Sequence, residues 1–461
     1  VLQLITEAVT DRGAHGIAAA VSRLIHSGDL PAGTRLPTVR SIARELGVSP
    51  TTVSEAWTSL SRAGLISTHG RSGTVVLAGD RLRARLRYTR ISPGLTSLPT
   101  DLSTGVPDHD LLPDLAETLR RLGDGTKVRT TSYLDDPVLP VLETLLRERW
   151  PSPPEQVTVL DGALDAIDRI VRSCVRFGDR VLVENPSFPP ILDLLEAVGA
   201  TPVGLPLDKQ GIQPAALAEA LDLRPVMLIL QPRAQNPTGV SMTATRVRDL
   251  ASVLDGHPAV VVVEDDHAAE ITSAPPVSLG THLPGRTLRV HSFAKSLGPD
   301  LRLAAVGGPT ALLAPVIDRR MLGPGWSSRL LQHVLLDLLT APSTALLLEE
   351  ARSEYARRRL ALLAALAQEG AAATADDGIN LWLTVADQHA AMVSLAAHGI
   401  SVAPGDPFEV TPLATDHVRV TVGLVRDGFA ELARVLAEAA RAGASARPSA
   451  RRGRARPRAT R

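Results

Sequence analysis

The chain has 461 residues, room for several domains at roughly 100–200 residues each, and its 44% hydrophobic and 21% charged residues exclude a mostly disordered polymer. The formal net charge is zero, yet a basic start (12 Arg against 6 acids over residues 1–90) and a basic end (8 Arg and no acid over 441–461) flank a middle with 29 basic and 43 acidic residues. This polarity points to a nucleic-acid-binding end joined to a domain of another kind. No apolar run reaches the roughly 18 residues a bilayer crossing needs, and Glu7, Asp11 and Arg12 stand where a secretory signal is apolar. A lone cysteine, Cys174, excludes an internal disulfide and a multi-cysteine metal site. The expectation is a cytoplasmic protein with no membrane contact and no metal.

In chain order, Ile17, Val21, Leu24 and Ile25 recur at helical spacing over 14–27, and Gly28-Asp29 ends that helix. Thr38 is an N-cap for a short helix over 39–47, with Ile42, Ala43 and Leu46 inward and Gly47 as a left-handed terminator. Ser49 caps the next helix and Pro50 takes its first position; Val53, Ala56, Trp57 and Leu60 form its apolar face up to Gly64. Two β-runs around His69-Gly70-Arg71-Ser72-Gly73 then form a wing, so residues 1–78 read as a winged helix-turn-helix domain. In such a unit the start of the second helix enters the major groove. Ser49, Thr51 and Thr52 stand there for phosphates or base edges, and Arg40 and Arg71 are the strong contacts. Ser49 caps its helix with or without DNA.

Residues 79–100, with arginines at 81, 83, 85, 87 and 90 before Ser, Pro and Gly, read as a solvated linker; the spacing of two also suits a phosphate-touching strand. From 101 to 441 short β-branched runs (157–160, 180–183, 226–230, 260–263, 288–291 and 303–306) alternate with amphipathic stretches. That pattern predicts an α/β fold, its parallel or mixed sheet covered on both faces. A last amphipathic helix over 426–441 precedes an Arg-rich tail, 442–461, expected to be disordered and either inert or a source of salt-sensitive DNA affinity.

Local features then line up along the body. Val159-Leu160-Asp161-Gly162-Ala163-Leu164 is a strand, a glycine and a helix start, whose amides suit an anion. Glu184-Asn185-Pro186-Ser187-Phe188 offers a ring after a strand, and Gln231-Pro232-Arg233-Ala234-Gln235-Asn236-Pro237-Thr238-Gly239 is a polar turn after another. Glu264-Asp265-Asp266-His267 puts acids at the end of a buried run. The last, 290–303, contains Ser292, Lys295 and Arg302. Only three lysines occur, Lys127, Lys209 and Lys295, in a chain that otherwise uses arginine. A lysine kept in that background suits a task arginine cannot perform, losing a proton and condensing with a carbonyl.

The stretch from Leu36 to Val75 resembles the winged helix of the GntR family of bacterial regulators, and the ordered body motifs resemble the class I/II, fold-type I aminotransferases that use pyridoxal 5′-phosphate. Together they resemble the MocR subfamily of transcriptional regulators over about residues 14–440. The resemblance implies a winged helix-turn-helix plus a fold-type I transferase body, with a mixed, mostly parallel sheet and a small C-terminal α+β subdomain. It implies Lys295 as the Schiff-base lysine and Asp265 under the pyridine nitrogen. Asn236 matches the donor to the phenolic oxygen, with His267 where relatives have tyrosine, and Phe188 matches the stacking ring. Gly162, Ala163, Leu164, Ser292 and Arg302 match the phosphate cup. Tyr133 matches a tyrosine that crosses from the partner subunit, which implies a homodimer. Arg419 matches the arginine that grips a substrate carboxylate. Leu164, Ala294, Val138 and Glu143 also depart from the usual residues; backbone phosphate contacts survive these changes, while His267 alters the electronics. The implied function is a DNA-binding regulator that senses an amine, an amino acid or pyridoxal phosphate itself by imine exchange at Lys295, with operator DNA as partner. The alternative is a working aminotransferase carrying a DNA-binding head.

Overall fold

The computed structural model describes the chain except residues 10–11, 27, 63–64, 69–72, 78–85, 92–97, 126–131, 133–134 and 443–461. Arg71, Tyr133 and nearly all of the expected tail lie outside the described residues. In the head, helices α1 (Leu2–Ala8), α2 (Ala14–His26), α3 (Val39–Leu46) and α4 (Pro50–Arg62) surround a small antiparallel sheet of β1 (Arg35–Leu36), β2 (Ile66–Thr68) and β3 (Thr74–Val76), ordered β1-β3-β2. Its ends are set locally. The Thr38 side chain accepts from the Ser41 amide, Gly47 takes φ 69°, and Ser49 Oγ accepts from the Thr52 amide at 3.1 Å. Ile17, Val21, Ile42, Val53, Trp57 and Leu60 bury together, joined by Ile5 from α1, a helix too short to leave a periodic signal.

Within the segment expected as a linker, Arg87 and Arg90 belong to neither a solvated coil nor a strand; they lie on helix α5 (Arg87–Ile91), docked on the body. The Asp193 carboxylate accepts from the amides of Arg87 and Tyr88, both at 2.9 Å, which satisfies the helix start with a negative charge. Arg87 also pairs with Glu196 at 2.8 Å, Arg90 pairs with Asp406, and Ile91 buries against Trp382 and Phe408.

The body follows as β4 (Thr100–Asp101), α6 (Leu115–Gly125), α7 (Pro140–Glu148), β5 (Gln156–Leu160), α8 (Ala163–Cys174), β6 (Arg180–Asn185), α9 (Pro189–Ala197), β7 (Thr201–Asp208), β8 (Gly211–Ile212), α10 (Pro214–Leu221), β9 (Met227–Leu230), α11 (Ala244–Asp255), β10 (Val261–Asp266), β11 (Thr287–Ser292) and β12 (Ala304–Gly308). Helices α12 (Thr310–Met321), α13 (Arg329–Thr340) and α14 (Pro342–Gln368) lead to β13 (Ala373–Thr374), β14 (Leu381–Val385), α15 (Gln388–Ala397), β15 (Ile400–Ser401), β16 (Ala403–Pro404), β17 (Asp416–Val420) and α16 (Phe429–Arg441). The large sheet has eight strands ordered β5-β12-β11-β10-β9-β6-β7-β8, with antiparallel pairing only at β12 and β8. The expected mixed, mostly parallel α/β sheet is therefore present, and β13, β14, β16 and β17 form the antiparallel sheet of the small C-terminal subdomain.

Apolar residues cover both faces of the large sheet. Val181, Val183, Val263, Leu288 and Val290 pack under α8, α9 and α12, while Leu182, Leu228, Leu230 and Val262 pack under α10 and α11. Each fully buried aliphatic side chain is worth roughly 2 kcal/mol, so a one-residue slip of β10 would exchange its faces at great cost. That register sends Val263 and Asp265 to one face and Val262, Glu264 and Asp266 to the other. Among the described residues no single helix is long and apolar enough to cross a membrane; the bent pair α13–α14 passes that measure only when joined, and its Leu335, Leu338 and Leu362 are core residues.

Candidate functional site

Segments far apart in sequence meet at the C-terminal end of β10. Lys295, just past β11, donates from Nζ to the Gly105 carbonyl at 2.6 Å. Asp265 ends its face of β10, and its Oδ2 accepts from Gln231 Nε2 at 2.8 Å. Gln231 Oε1 in turn accepts from the Asn236 amide at 2.8 Å, so one glutamine ties the carboxylate to the Asn236 turn. The Asn236 Oδ1 accepts from Arg419 Nη1 at 3.3 Å. Arg419, on β17, is only 2% exposed, donates to the Ser103 carbonyl and lies 5.2 Å over the Phe408 ring.

Burial sets the electrostatics here. It brings the Lys295 ammonium down from 10.5 to about 8, helped by Arg419 and opposed by Asp265. The same desolvation lifts Asp265 to about 6 against the pull of Gln231 and Lys295. His267 falls to about 4 through burial, so its ring is neutral near pH 7. Its Nε2 lies 2.8 Å from the Ala234 carbonyl, which makes Nε2 the protonated nitrogen.

A second group of predicted residues surrounds the start of α8. Gly162 has φ 103°, and a Cβ there would stand 3.2 Å from Arg302 Nη2. Glycine is thus required by its backbone conformation, and the arginine packs closely on it. The unpaired amides opening α8 at Ala163 and Leu164, with the Arg302 guanidinium beside them, form a place for an anion. Ser292, buried at the end of β11, accepts from the Ala294 amide at 3.3 Å. Half-buried Phe188 precedes α9 and packs against the sheet face that carries Asp265. The sequence reading assigned no role to Gly105, Gln231, Ser103 or Phe408. Gln231 stood inside a motif that was noted, but nothing local marks the others.

The chemistry of this set can be tested against pyridoxal phosphate. Among the described residues, Asp265 Oδ1 is buried with no hydrogen-bond partner, as is Arg419 Nε. A carboxylate oxygen left so is costly unless a donor reaches it, and a protonated ring nitrogen is such a donor. With a half-buried lysine of depressed pKa and a cationic helix start for a phosphate, the residues fit the group.

On the head, Arg40, Ser49 and Thr51 are exposed and Thr52 is half-buried, all at the starts of α3 and α4. Arg35, which the sequence reading passed over, is exposed and packs its guanidinium on Gly73 at the base of the wing.

The family description "Aminotransferase class I and II" fits residues 99–436, and "Bacterial regulatory proteins, gntR family" fits residues 14–76. The chain is 36% identical over 429 residues to the vitamin B6 salvage pathway transcriptional repressor PtsJ of Salmonella typhimurium, covering 91% of this chain and 96% of the relative. It is 29% identical to the probable rhizopine catabolism regulatory protein MocR of Rhizobium meliloti, covering 81% and 79%. In structure it is similar to the α-aminoadipate aminotransferase LysN of Thermus thermophilus, with TM-score 0.69, 24% identity, and 78% and 96% of the two chains covered. A winged helix of the DNA-binding kind fused to an aminotransferase-like body, matched along both parts, places this chain in the MocR type of GntR-family transcriptional regulators.

Proposed function

We propose that the chain binds pyridoxal 5′-phosphate at Lys295 and uses amine exchange there to regulate operator binding by its head, as a homodimer. The observation that carries this reading is the buried, unpartnered Asp265 Oδ1 in the same site as a lysine brought down to about 8. Gly162, Ala163, Leu164, Ser292 and Arg302 would hold the phosphate, with the partner subunit's Tyr133 beside them. Asp265 would hold the pyridine nitrogen, Asn236 the phenolic oxygen through its side-chain amide, and Phe188 the ring face; His267, its one N–H given to the Ala234 carbonyl, would stand beside that oxygen without donating to it. Bound there, pyridoxal phosphate supplies an aldehyde that condenses reversibly with primary amines. Lys295 contributes a nitrogen that loses its proton near neutral pH, and Asp265 keeps a proton on its partner atom. Arg419 orients an effector through its carboxylate.

A change at Lys295 also changes its bond to Gly105, four residues after β4 and on the chain path that leads back through α5 to the head. Regulation then requires only that the effector bind the two head arrangements with different affinity. The named role of the Salmonella relative supports a B6 vitamer as the effector. The neutral His267 supports sensing over turnover, because an imidazole replaces the phenol met in working relatives. Borohydride reduction of the vitamer-loaded protein followed by peptide mapping tests the site: the label is expected on Lys295, and a label elsewhere refutes the reading. Sustained amino-acid/2-oxo-acid turnover without operator binding would favour the enzyme instead.

A further inference from the structure

The register that turns Asp265 toward the lysine turns Glu264 and Asp266 to the opposite face of the sheet, where Arg289 and His291 of β11 stand beside them. Asp266 binds Arg233 Nη2 at 2.7 Å and Arg289 Nη2 at 2.6 Å, and His291 Nε2 lies 2.7 Å from Glu270. This buried ion network borders a cavity of about 410 Å³ that none of the preceding chemistry uses. Its size is that of a small-ligand pocket.

We propose that this cavity is a second binding site, distinct from the Lys295 site, for a small aromatic carboxylate. Charge sets the sign of the ligand. Five positive side chains (Arg149, Arg233, Arg289, Arg352 and His291) line the cavity against two carboxylates, Asp266 and Glu270. Those two carboxyls are held below their usual range by the cations around them, so they are ionised, and His291 is raised to about 9. Glu264 behind the lining pairs with Arg289 and Glu349 with Arg352, so the five cations still outnumber the four carboxyls, but by one. Arg289, 2% exposed, keeps a buried Nε with no hydrogen-bond partner among the described residues. At the rim Arg149 spends one Nη2 bond on the Leu339 carbonyl, which leaves the rest of an exposed guanidinium to meet an anion.

The wall sets the body of the ligand. Trp150, His291 and Phe293 run as a chain of rings, with centroids 6.3 Å and 5.0 Å apart, and Pro151, Pro275 and Pro276 add flat apolar surface. A ring carrying one carboxylate fits both halves of this lining.

Calorimetric titration of the full-length protein with benzoate tests the site. We expect one benzoate per chain, bound equally by wild type and Arg419→Leu, since the Lys295 site is elsewhere. Ala274→Trp, which fills the cavity from its wall, and Arg149→Ala, which removes the rim cation, are each expected to weaken benzoate at least tenfold, with melting curves showing these two variants and Arg419→Leu folded. Benzamide, the neutral analogue, is expected to bind at least tenfold more weakly, and inorganic phosphate likewise. No benzoate binding at millimolar concentration, binding unchanged in Ala274→Trp, or binding lost in Arg419→Leu would each overturn the proposal. Benzamide or phosphate binding as tightly as benzoate would do the same.

Discussion

Replacing Lys295 by methionine should stabilise the cofactor-free protein near pH 7. The ammonium falls from 10.5 in water to about 8 in the folded chain, and each tenfold in protonation is worth 1.4 kcal/mol, so keeping it charged costs the fold about 3 kcal/mol. Methionine has similar length and no charge, so that cost disappears. Two losses oppose the gain. The Gly105 carbonyl loses its donor at 2.6 Å, about 1 kcal/mol, and Asp265 loses the cation that pulls its carboxyl down. The net expectation is a variant more stable by roughly 1–2 kcal/mol at pH 7.

The pH dependence gives the sharper test. From about 8 to 10.5 the unfolded lysine binds a proton that the folded one does not. Wild-type stability therefore rises with pH across that window, and below it the cost is fully present. The variant lacks this rise, so its advantage should vanish by about pH 10, leaving it slightly the less stable. Urea unfolding of both proteins, freed of any pyridoxal phosphate, at pH 7 and pH 10 measures the difference. A methionine variant less stable at pH 7, or a difference that does not change with pH, would show that Lys295 is not the desolvated amine described.

Asp265→Asn keeps a partner for Gln231 but removes the negative charge, and absorbance titration should show pyridoxal phosphate held at least tenfold more weakly. Thr38→Ala removes the cap of α3 and should cost the head about 1 kcal/mol in a thermal melt. Thr51→Ala touches nothing buried; operator affinity in a gel-shift assay should fall several-fold with the melting temperature unchanged, and unchanged affinity would remove Thr51 from the interface. Arg358, 4% exposed, bonds Asp108 Oδ2 at 2.7 Å. Arg358→Met removes one of the two guanidinium groups on Asp108, which keeps Arg426 Nη2 at 2.6 Å, and should cost about 2 kcal/mol in urea unfolding.

Where the energetics are local, the sequence carried the answer. Thr38, Gly47, Ser49 and Pro50 act on amides within a few residues, so the helix-turn-helix of the head was legible from capping rules alone. The strands that hold the candidate site were legible for the same reason: a run such as Met227–Leu230, buried on both faces, has few other ways to fold. Strand β7 was missed because Pro202, Gly204 and Pro206 break its pattern, and it is held by six paired positions along β6. Helix α5 was missed because its arginines are satisfied by acids more than a hundred residues away.

What the chain order could not supply was which groups meet. Lys295 stood out through the scarcity of lysine, yet its partner Gly105 lies 190 residues away, and Arg419 reaches Ser103 across 316. Consecutive acids at 264, 265 and 266 look alike in a string of letters. Only the pleat of β10 and its pairing with β9 and β11 send Asp265 to the lysine and its two neighbours to the reverse face. Sequence alone determined the kinds of element and the inventory of reactive groups, because backbone propensity and capping act over a few residues. Tertiary packing decided sidedness, pairing and proton affinity, because those depend on burial and on charges brought together from distant parts of the chain.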